Sequence, residues 1–376
     1  MKTYLDFKPN ADGSYTLPDG IYFGLPEEIY HADTAIGSTS FMALAKDPCK
    51  WQYDRLRPRK EATPEYLTWG RAWHCRVLEG KAAFEERYAN PPVPADYPDA
   101  LNTTDQIKEF LRQHGQKLTG NKPELMARAK ELDECPPFFD EILARWHFEH
   151  PDHEDLTDRQ VQEIEDAVAN MTRDPTLASV MVAGSLINGA AELSIFVTID
   201  GVRRKCRLDY AIPPAGSRVK SLIVDLKSFT TFKGGSHEEA AIRKVYDMCY
   251  DIQVAAYMEI FAAAKKLLAY GAVYGEAPRD GFIKSFLEAD GVDWVWVMVR
   301  RDSGMIPVTL SIDTEDRMFD HAKRIVADAI ETYHAYMNEF GPDQLWTPPP
   351  KAPLRLNYSV MPTYNRGIQY EQPNNR

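Results

Sequence analysis

Several features of membrane, secreted and metal-scaffold proteins are missing from this 376-residue sequence. It has no run of eighteen apolar residues, so no segment is expected to cross a bilayer. Its opening stretch, MKTYLDFKPNADGSY, lacks the apolar core of a secretory signal. Its five cysteines are far apart and form no CxxC pair, which argues against a zinc or iron–sulfur framework. These absences predict a protein of the reducing cytoplasm with no membrane partner.

Positive charge is also in short supply. The formal net charge is −12, which argues against indiscriminate binding to nucleic acid but leaves room for a local basic groove. The hydrophobic content of 44% is typical of a globular protein. The length allows one large domain or two ordinary ones.

Strand patterns concentrate in the second half of the chain. Residues 192–199 alternate between apolar and polar, Asp200-Gly201 is a strong hairpin signal, and the chain returns over 202–212. Residues 222–228 are apolar enough to predict a central strand. The fold class expected is α/β or α+β, a mixed sheet flanked by helices with one small helical insertion. Further predicted elements are helices over 38–46, 65–80, 156–175 (with Thr157 as N-cap), 238–267 and 314–338, and a hairpin over 294–300 and 306–312.

Acidic residues recur on the predicted strands. A two-residue hairpin turn places Glu192 directly opposite Asp209. Asp225 and Lys227 are two residues apart on the next strand and therefore share a face. Three carboxylates and an ammonium could thus converge, with the main-chain carbonyl of Leu226 as a further ligand. Such a set suits Mg²⁺ and metal-assisted phosphodiester hydrolysis; the alternative is that each acid is an ordinary exposed strand residue.

Basic residues near these acids are candidates for phosphate contact, which gives sequence-independent and salt-sensitive affinity. Arg204 and Arg207 are the predicted DNA contacts on the hairpin; an ordinary solvated strand face is the competing interpretation. The complete set of candidates is Arg203, Arg204, Lys205 and Arg207 on the hairpin, and Lys233, Arg243 and Lys244 around the following helix.

Residues 103–132 predict a compact pair of short helices, with Thr104 as a candidate N-cap and Gly115 at the end of the first helix. The segment has six basic and four acidic residues and is therefore net positive within an acidic chain. It resembles a SAP motif, a small DNA-binding helix pair. The predicted DNA contacts are Lys117, Lys122 and Arg128, and the alternative is a purely structural hairpin.

The order of motifs resembles the PD-(D/E)XK nuclease core, and more specifically the exonuclease VIII type of phage and prophage recombination nuclease. Glu192, Asp209 and the Asp225-Leu226-Lys227 triplet match the core, although Leu208 stands where the family usually has proline. GRAWHCRVLEG resembles the family's histidine helix, YDIQVAAYMEIF resembles its Q-x-x-x-Y helix, and YHADTAIGSTSFMALAKDP resembles its opening segment. The resemblance covers most of residues 21–338.

This resemblance implies a Mg²⁺-dependent double-strand DNA exonuclease, with Mn²⁺ able to substitute. It also implies 5′ to 3′ polarity, a single-strand annealing protein as partner and a ring-shaped homo-oligomer. The implied metal ligands are Glu192, Asp209, Asp225 and Leu226, and the implied catalytic residues are Lys227, His74, Gln253 and Tyr257. His74 is expected to contact the metal site or the scissile phosphate.

The expected organisation has four parts. Residues 1–102 begin the nuclease domain, 103–132 form the SAP-like insertion, 133–340 form the catalytic core and 341–376 are an irregular tail. An endonuclease of restriction or repair type on the same core, and a non-catalytic DNA-binding protein, remain alternative functions.

Overall fold

A computed structural model describes residues 6–57, 65–231, 234–350, 352, 353 and 356. The strands are β1 (Gly20–Tyr22), β2 (Tyr88–Ala89), β3 (Glu154–Asp155), β4 (Met181–Val182), β5 (Ser185–Leu186), β6 (Ala190–Ile199), β7 (Val202–Ile212), β8 (Ser221–Phe229), β9 (Val273–Tyr274), β10 (Val292–Arg300) and β11 (Ile306–Ser311). The helices are α1 (Glu27–Ala32), α2 (Ser38–Lys46), α3 (Pro48–Leu56), α4 (Glu65–Leu78), α5 (Lys81–Arg87), α6 (Thr104–Gln113), α7 (Lys122–Lys130), α8 (Phe139–Glu149), α9 (Asp158–Arg173), α10 (His237–Asp247), α11 (Tyr250–Ala269), α12 (Phe282–Leu287) and α13 (Arg317–Phe340).

A mixed sheet forms the centre of the fold, as predicted. Within the described residues, its seven strands follow the order β11-β10-β8-β7-β6-β1-β9. β7 is antiparallel to both β6 and β8, whereas β8 is parallel to β10. The predicted central position of β8 and the late hairpin of β10 and β11 are both confirmed.

The β6–β7 hairpin turns at Asp200-Gly201 as predicted. Both residues have positive φ, 50° and 75°, which is the backbone of a type I′ turn and explains the Asp-Gly pair. Ile199 therefore pairs with Val202, and this pair sets the register of the whole hairpin.

Alternate residues of β8 enter two different cores. Ile223 packs in the cluster that contains residues of α10, α11 and α13. Val224 and Leu226 pack in the cluster that contains α4 and α9. Because strand side chains alternate, Asp225 and Lys227 lie on the α11 side of the sheet.

Helix boundaries are predicted well where a local cap decides them. Thr157 accepts a hydrogen bond from Gln160 N–H in a capping box, as expected for the N-cap of α9. The cap of α6 is Thr103 rather than the predicted Thr104. The single helix predicted over 238–267 is wrong: Cys249 takes a left-handed conformation with φ 56°, which separates α10 from α11.

The segment around α6 and α7 has a small apolar cluster of its own, as the predicted helix pair requires. Gly115, with φ 67°, follows the end of α6 as predicted. The cluster consists of Ile107, Leu111, Leu125, Ala129 and Phe138.

The start of the predicted tail lies against the helices. Residues 341–350 contain no helix or strand, and Trp346 packs on Trp51 and Tyr336 with ring centroids 5.3 and 5.2 Å apart. Most of the tail beyond 350 lies outside the described residues, as does Lys233. No helix in the described part of the chain is both long and apolar enough to cross a membrane.

Candidate active site

Two strand ladders bring three carboxylates together. In β6–β7 the pairs Leu193–Leu208 and Ala191–Tyr210 flank Glu192, so this residue lies opposite Asp209 as the hairpin register predicts. Pairing of β7 with β8 runs from Ile212–Leu222 to Tyr210–Val224 and ends there. Asp209 and Asp225 stand one step beyond that last pair, where the two strands separate and open a cleft in the sheet.

Glu192 has an unusual backbone for a strand residue. Its φ is 50°, in the left-handed region that residues other than glycine rarely adopt. Glu192 is left out of the ladder while the pairs on both sides of it keep their register. Its side chain is about one-third exposed and extends toward His74 and Arg207.

Asp209 is fixed by the backbone of the neighbouring strand. Its Oδ2 accepts a hydrogen bond of 2.8 Å from the N–H of Leu226. This bond joins β7 to β8 just where their ladder has ended, so it holds the carboxylate at the opening of the cleft.

His74 reaches the same point from α4. Its Nε2 lies 3.1 Å from the carbonyl oxygen of Leu226, and because a carbonyl only accepts, Nε2 carries the proton of this bond. Its Nδ1 lies 3.9 Å from Asp209 Oδ2 and 4.0 Å from Glu192 Oε1. Burial lowers the pKa of His74, but the charges of Asp209 and Glu192 outweigh burial and raise the pKa above its ordinary value.

These groups form a donor set that fits a divalent cation. One ligand atom from each of His74, Glu192 and Asp209 lies within 4.8 Å of the other two. Two carboxylates and an imidazole nitrogen, with the Leu226 carbonyl beside them, suit Mg²⁺ or Mn²⁺, the imidazole favouring Mn²⁺. The sequence suggested Asp225 as a ligand and His74 as a residue in contact with the metal site or the scissile phosphate. In this geometry His74 stands in the donor cluster and Asp225 lies next to it.

Buried Asp225 forms an ion pair with half-buried Lys227 on the α11 side. Lys227 Nζ lies 2.5 Å from Asp225 Oδ2, and Gln253 Nε2 donates to Asp225 Oδ1 at 3.3 Å. Burial raises the pKa of Asp225 to about 6 against the opposing charge of Lys227. Burial lowers the pKa of Lys227, but the carboxylates of Asp225 and Asp209 outweigh it and raise the pKa. Lys227 is therefore an ammonium at neutral pH.

Two tyrosines of α11 lie near this ion pair. Lys227 Nζ lies 5.2 Å from the ring centroid of Tyr250, a cation–π contact. Tyr257 is one turn beyond Gln253, as the Q-x-x-x-Y spacing predicts, and its ring meets Trp294 edge-on at 5.7 Å. Burial raises the pKa of Tyr257 to about 12, so its hydroxyl keeps its proton at neutral pH.

The predicted DNA-contacting arginines of the hairpin have internal partners. Arg204 is buried and forms an ion pair with Glu259, so its guanidinium does not face the solvent. Arg207 Nε donates to Ser194 Oγ at 2.9 Å and lies 3.7 Å from Glu192 Oε2, and its Nη2 donates to the carbonyl of Leu25 at 2.7 Å.

The three predicted DNA contacts of residues 103–132 differ in their exposure and their partners. Lys117 is exposed. Lys122 Nζ lies 2.7 Å from Asp140 of α8. Arg128 Nη1 donates to the carbonyl oxygens of Lys117 and Thr119 at 2.5 and 3.2 Å, closing the loop between α6 and α7.

Sequence reasoning missed Ser194 and Tyr30. Ser194 is two residues after Glu192 and directly opposite Arg207, so the predicted hairpin register already contained this signal. The ring centroid of Tyr30 lies 4.4 Å from the Arg207 guanidinium. No local pattern links α1 to this strand, because the contact forms only in the tertiary structure.

The site opens into a cleft of about 1100 Å³. His74, Glu192 and Asp209 lie along it with Gln253 and Tyr257. Cationic residues of the cleft are paired with carboxylates in four cases, which are Arg71 with Glu154, Arg87 with Glu79, Arg207 with Glu192 and Arg301 with Glu163. Lys244 of α10 also lines the cleft and makes no ion pair with any described residue.

Comparisons with known proteins give limited likenesses. No family model and no curated protein matches the chain. A solved structure described as "Putative exonuclease" from Eubacterium rectale is 12% identical, with a TM-score of 0.31, over 74% of this chain and 92% of that chain. A second structure, SSO0001, is 14% identical, with a TM-score of 0.22, over 60% of this chain and 83% of that chain. Neither solved structure is similar enough to this chain to indicate its function.

Proposed function

We propose that this protein is a metal-dependent deoxyribonuclease that hydrolyses phosphodiester bonds. The observation that carries the proposal is the meeting of His74, Glu192 and Asp209 at the point where β7 and β8 separate, with the Asp225–Lys227 pair beside it. These residues come from distant parts of the sequence. A buried carboxylate with a raised pKa and a specific charged partner beside a cleft is typical of a functional site.

The candidate cation is Mg²⁺, with Mn²⁺ as a substitute, held by Glu192, Asp209 and His74 and by the Leu226 carbonyl or Asp225. Such a cation neutralises phosphate charge and lowers the pKa of a bound water. In the hydrolysis, water supplies hydroxide to phosphorus, one P–O ester bond breaks, and the leaving oxygen gains a proton.

Lys227 is the protein group best placed to act on the phosphate. Its ammonium can donate to a non-bridging phosphate oxygen, where negative charge grows during the reaction, or orient the attacking water. Gln253 holds the carboxylate that pairs with this ammonium. Tyr257 keeps a protonated hydroxyl near this pair. Among the described residues that line the cleft, Lys244 is a cation available for a DNA phosphate.

The narrower proposal is a double-strand exonuclease that degrades from 5′ to 3′ and leaves single strands for an annealing protein. Its polarity, its recombination role, a ring-shaped homo-oligomer and a SAP-like role for 103–132 are supported by the sequence resemblance described above. An endonuclease built on the same site is the second candidate, since the same donors suit internal cleavage.

One experiment separates these functions. Purified protein is incubated with linear and with covalently closed circular duplex DNA, in Mg²⁺, in Mn²⁺ and in EDTA. An exonuclease degrades only the linear DNA and only with metal. Cleavage of the closed circle would favour the endonuclease, and DNA binding without cleavage of either substrate would favour the non-catalytic alternative.

A further inference from the structure

Three basic side chains of β7 hold the N-terminal segment against the sheet. They are two residues apart, at 203, 205 and 207, and so share one strand face. Arg203 donates to the carbonyl of Leu17 and Lys205 to those of Tyr30 and Asp33, at 2.6 to 2.8 Å. The sequence suggested DNA contact for this set, whereas in the fold each donates to main-chain carbonyls, and Arg203 also pairs with the buried carboxylate of Asp33 at 3.1 Å.

Arg207 differs from the other two because it also contacts a candidate metal ligand. It is nearly buried, with 11% of its side chain exposed, and lies 3.7 Å from Glu192 Oε2. Ser194, Leu25 and the ring of Tyr30 fix its guanidinium from three other directions. A planar guanidinium with this many partners has a defined orientation.

Glu192 needs such a partner. Its left-handed backbone takes it out of the ladder, between the pairs Ala191–Tyr210 and Leu193–Leu208, so the regular strand geometry does not set where its carboxylate points. Arg207 lies on β7 directly opposite Ser194 of β6, and Ser194 is two residues after Glu192. Arg207 lies 3.7 Å from Glu192 Oε2 while His74 lies 4.0 Å from Oε1, so Arg207 is placed to restrain the carboxylate at the other oxygen.

We propose that Arg207 is a positioning residue that orients Glu192 for binding the divalent cation of the proposed nuclease site. This role rests on the proposed function. It predicts the direction in which metal affinity changes when Arg207 is replaced. A cation beside a metal site repels the metal, so if Arg207 acted through charge alone, its removal would strengthen metal binding. If it acts by orienting a ligand, its removal weakens metal binding.

The test measures Mn²⁺ binding to the intact protein by isothermal titration calorimetry, without DNA. Arg207→Met should weaken Mn²⁺ affinity about tenfold, in the range seen when groups that support metal ligands are lost. Arg207→Lys should also weaken it, since an ammonium cannot reproduce the fork that reaches Ser194 and Leu25. Ser194→Ala should give a smaller loss and serves as a second variant if Arg207→Met fails to fold. In cleavage assays, the Arg207 variants should need more metal for half-maximal rate but recover much of their rate at saturating metal.

Arg203→Met is the matched control. It removes a basic residue from the same strand face and loosens the same N-terminal segment, but it does not contact Glu192. It should lower thermal stability and leave Mn²⁺ affinity unchanged. An equal loss of affinity in Arg203→Met, or an unchanged or higher affinity in Arg207→Met, would overturn the positioning role alone. Failure of the wild-type protein to bind Mn²⁺ would overturn the metal site and, with it, this role.

Discussion

The cleft and the helical segment of residues 103–132 are built in opposite ways. In the helical segment, capping boxes at Thr103 and Asn121 begin the two helices, and a small apolar cluster lies between them. Its charged side chains are largely exposed and several are paired nearby. The cleft instead has a carboxylate on a left-handed backbone, and beside it buried Asp225 pairs with half-buried Lys227. Residues close in sequence thus determine the helical segment, whereas residues far apart in sequence determine the cleft.

The largest expected effect tests whether Lys227, beside the cleft, takes part in DNA cleavage. Lys227→Ala should slow cleavage of linear DNA by at least about 100-fold, as for loss of one donor to a developing oxyanion. DNA affinity in EDTA should change little. Lys227→Arg should fail as well, because a planar guanidinium does not replace a compact ammonium beside Asp225. Single-turnover rates of the three proteins at saturating DNA provide the measurement, and full activity of the arginine variant would rule out this role.

Metal binding is the next sharpest difference between the two regions. Asp209→Asn removes the charge of a candidate ligand while keeping an oxygen that can accept from Leu226 N–H. We expect a loss of Mn²⁺ affinity of at least about tenfold, since a hard cation prefers an ionised carboxylate. The control is Asp140→Asn, which removes the acid that pairs with Lys122 of the helical segment. It should leave Mn²⁺ affinity unchanged. Calorimetric titration of the wild type and both variants provides the measurement. Equal Mn²⁺ affinities of Asp209→Asn and the wild type would exclude Asp209 as a ligand.

Truncation of a buried side chain tests whether the stability of the helical segment is independent of the main core. Leu111 is fully buried in the cluster between α6 and α7, so Leu111→Ala should destabilise that unit by about 2–5 kcal/mol. Amide hydrogen exchange should accelerate over 104–130, while cleavage of a short duplex at saturating concentration stays near the wild-type rate. Leu44→Ala in the main core is the control and should accelerate exchange around the sheet instead. Loss of cleavage in Leu111→Ala would mean that the segment supports the cleft directly.

The smallest expected effect concerns DNA contacts of the helical segment. The triple variant of Lys117, Lys122 and Arg128 to alanine should weaken binding to long duplexes and flatten its salt dependence. Lys117 is exposed, and its loss should reduce the log–log slope by about 0.9, the value for one phosphate contact. Lys122 already has Asp140 at 2.7 Å, so Lys122→Ala should change the slope less.

Duplex affinity at several salt concentrations, with Lys266→Ala on α11 as the control, gives these slopes. Slopes that match the wild type in the triple variant would show that the segment is structural or serves a protein partner.

Much of the fold was predictable because short-range rules governed it. The turn at Asp200-Gly201 fixed the register, and the register placed Glu192 opposite Asp209. The cap at Thr157 located the start of α9. The mixed sheet with β8 inside it followed from hydrophobic patterns, and the structure confirms it. The break at Cys249 was not predictable, because apolar periodicity continues through a residue whose left-handed backbone the wider fold imposes.

Candidate residues divide in the same manner. The sequence by itself determined the hairpin register that sets Glu192 opposite Asp209, and it determined that Gln253 and Tyr257 lie one helical turn apart. Only the tertiary structure decided that His74 joins Glu192 and Asp209, and that Arg204 is buried against Glu259. It also decided that the basic face of β7 meets main-chain carbonyls of the N-terminal segment. The physical reason is that periodicity specifies the direction of a side chain, whereas its partner depends on which distant segment packs against that face.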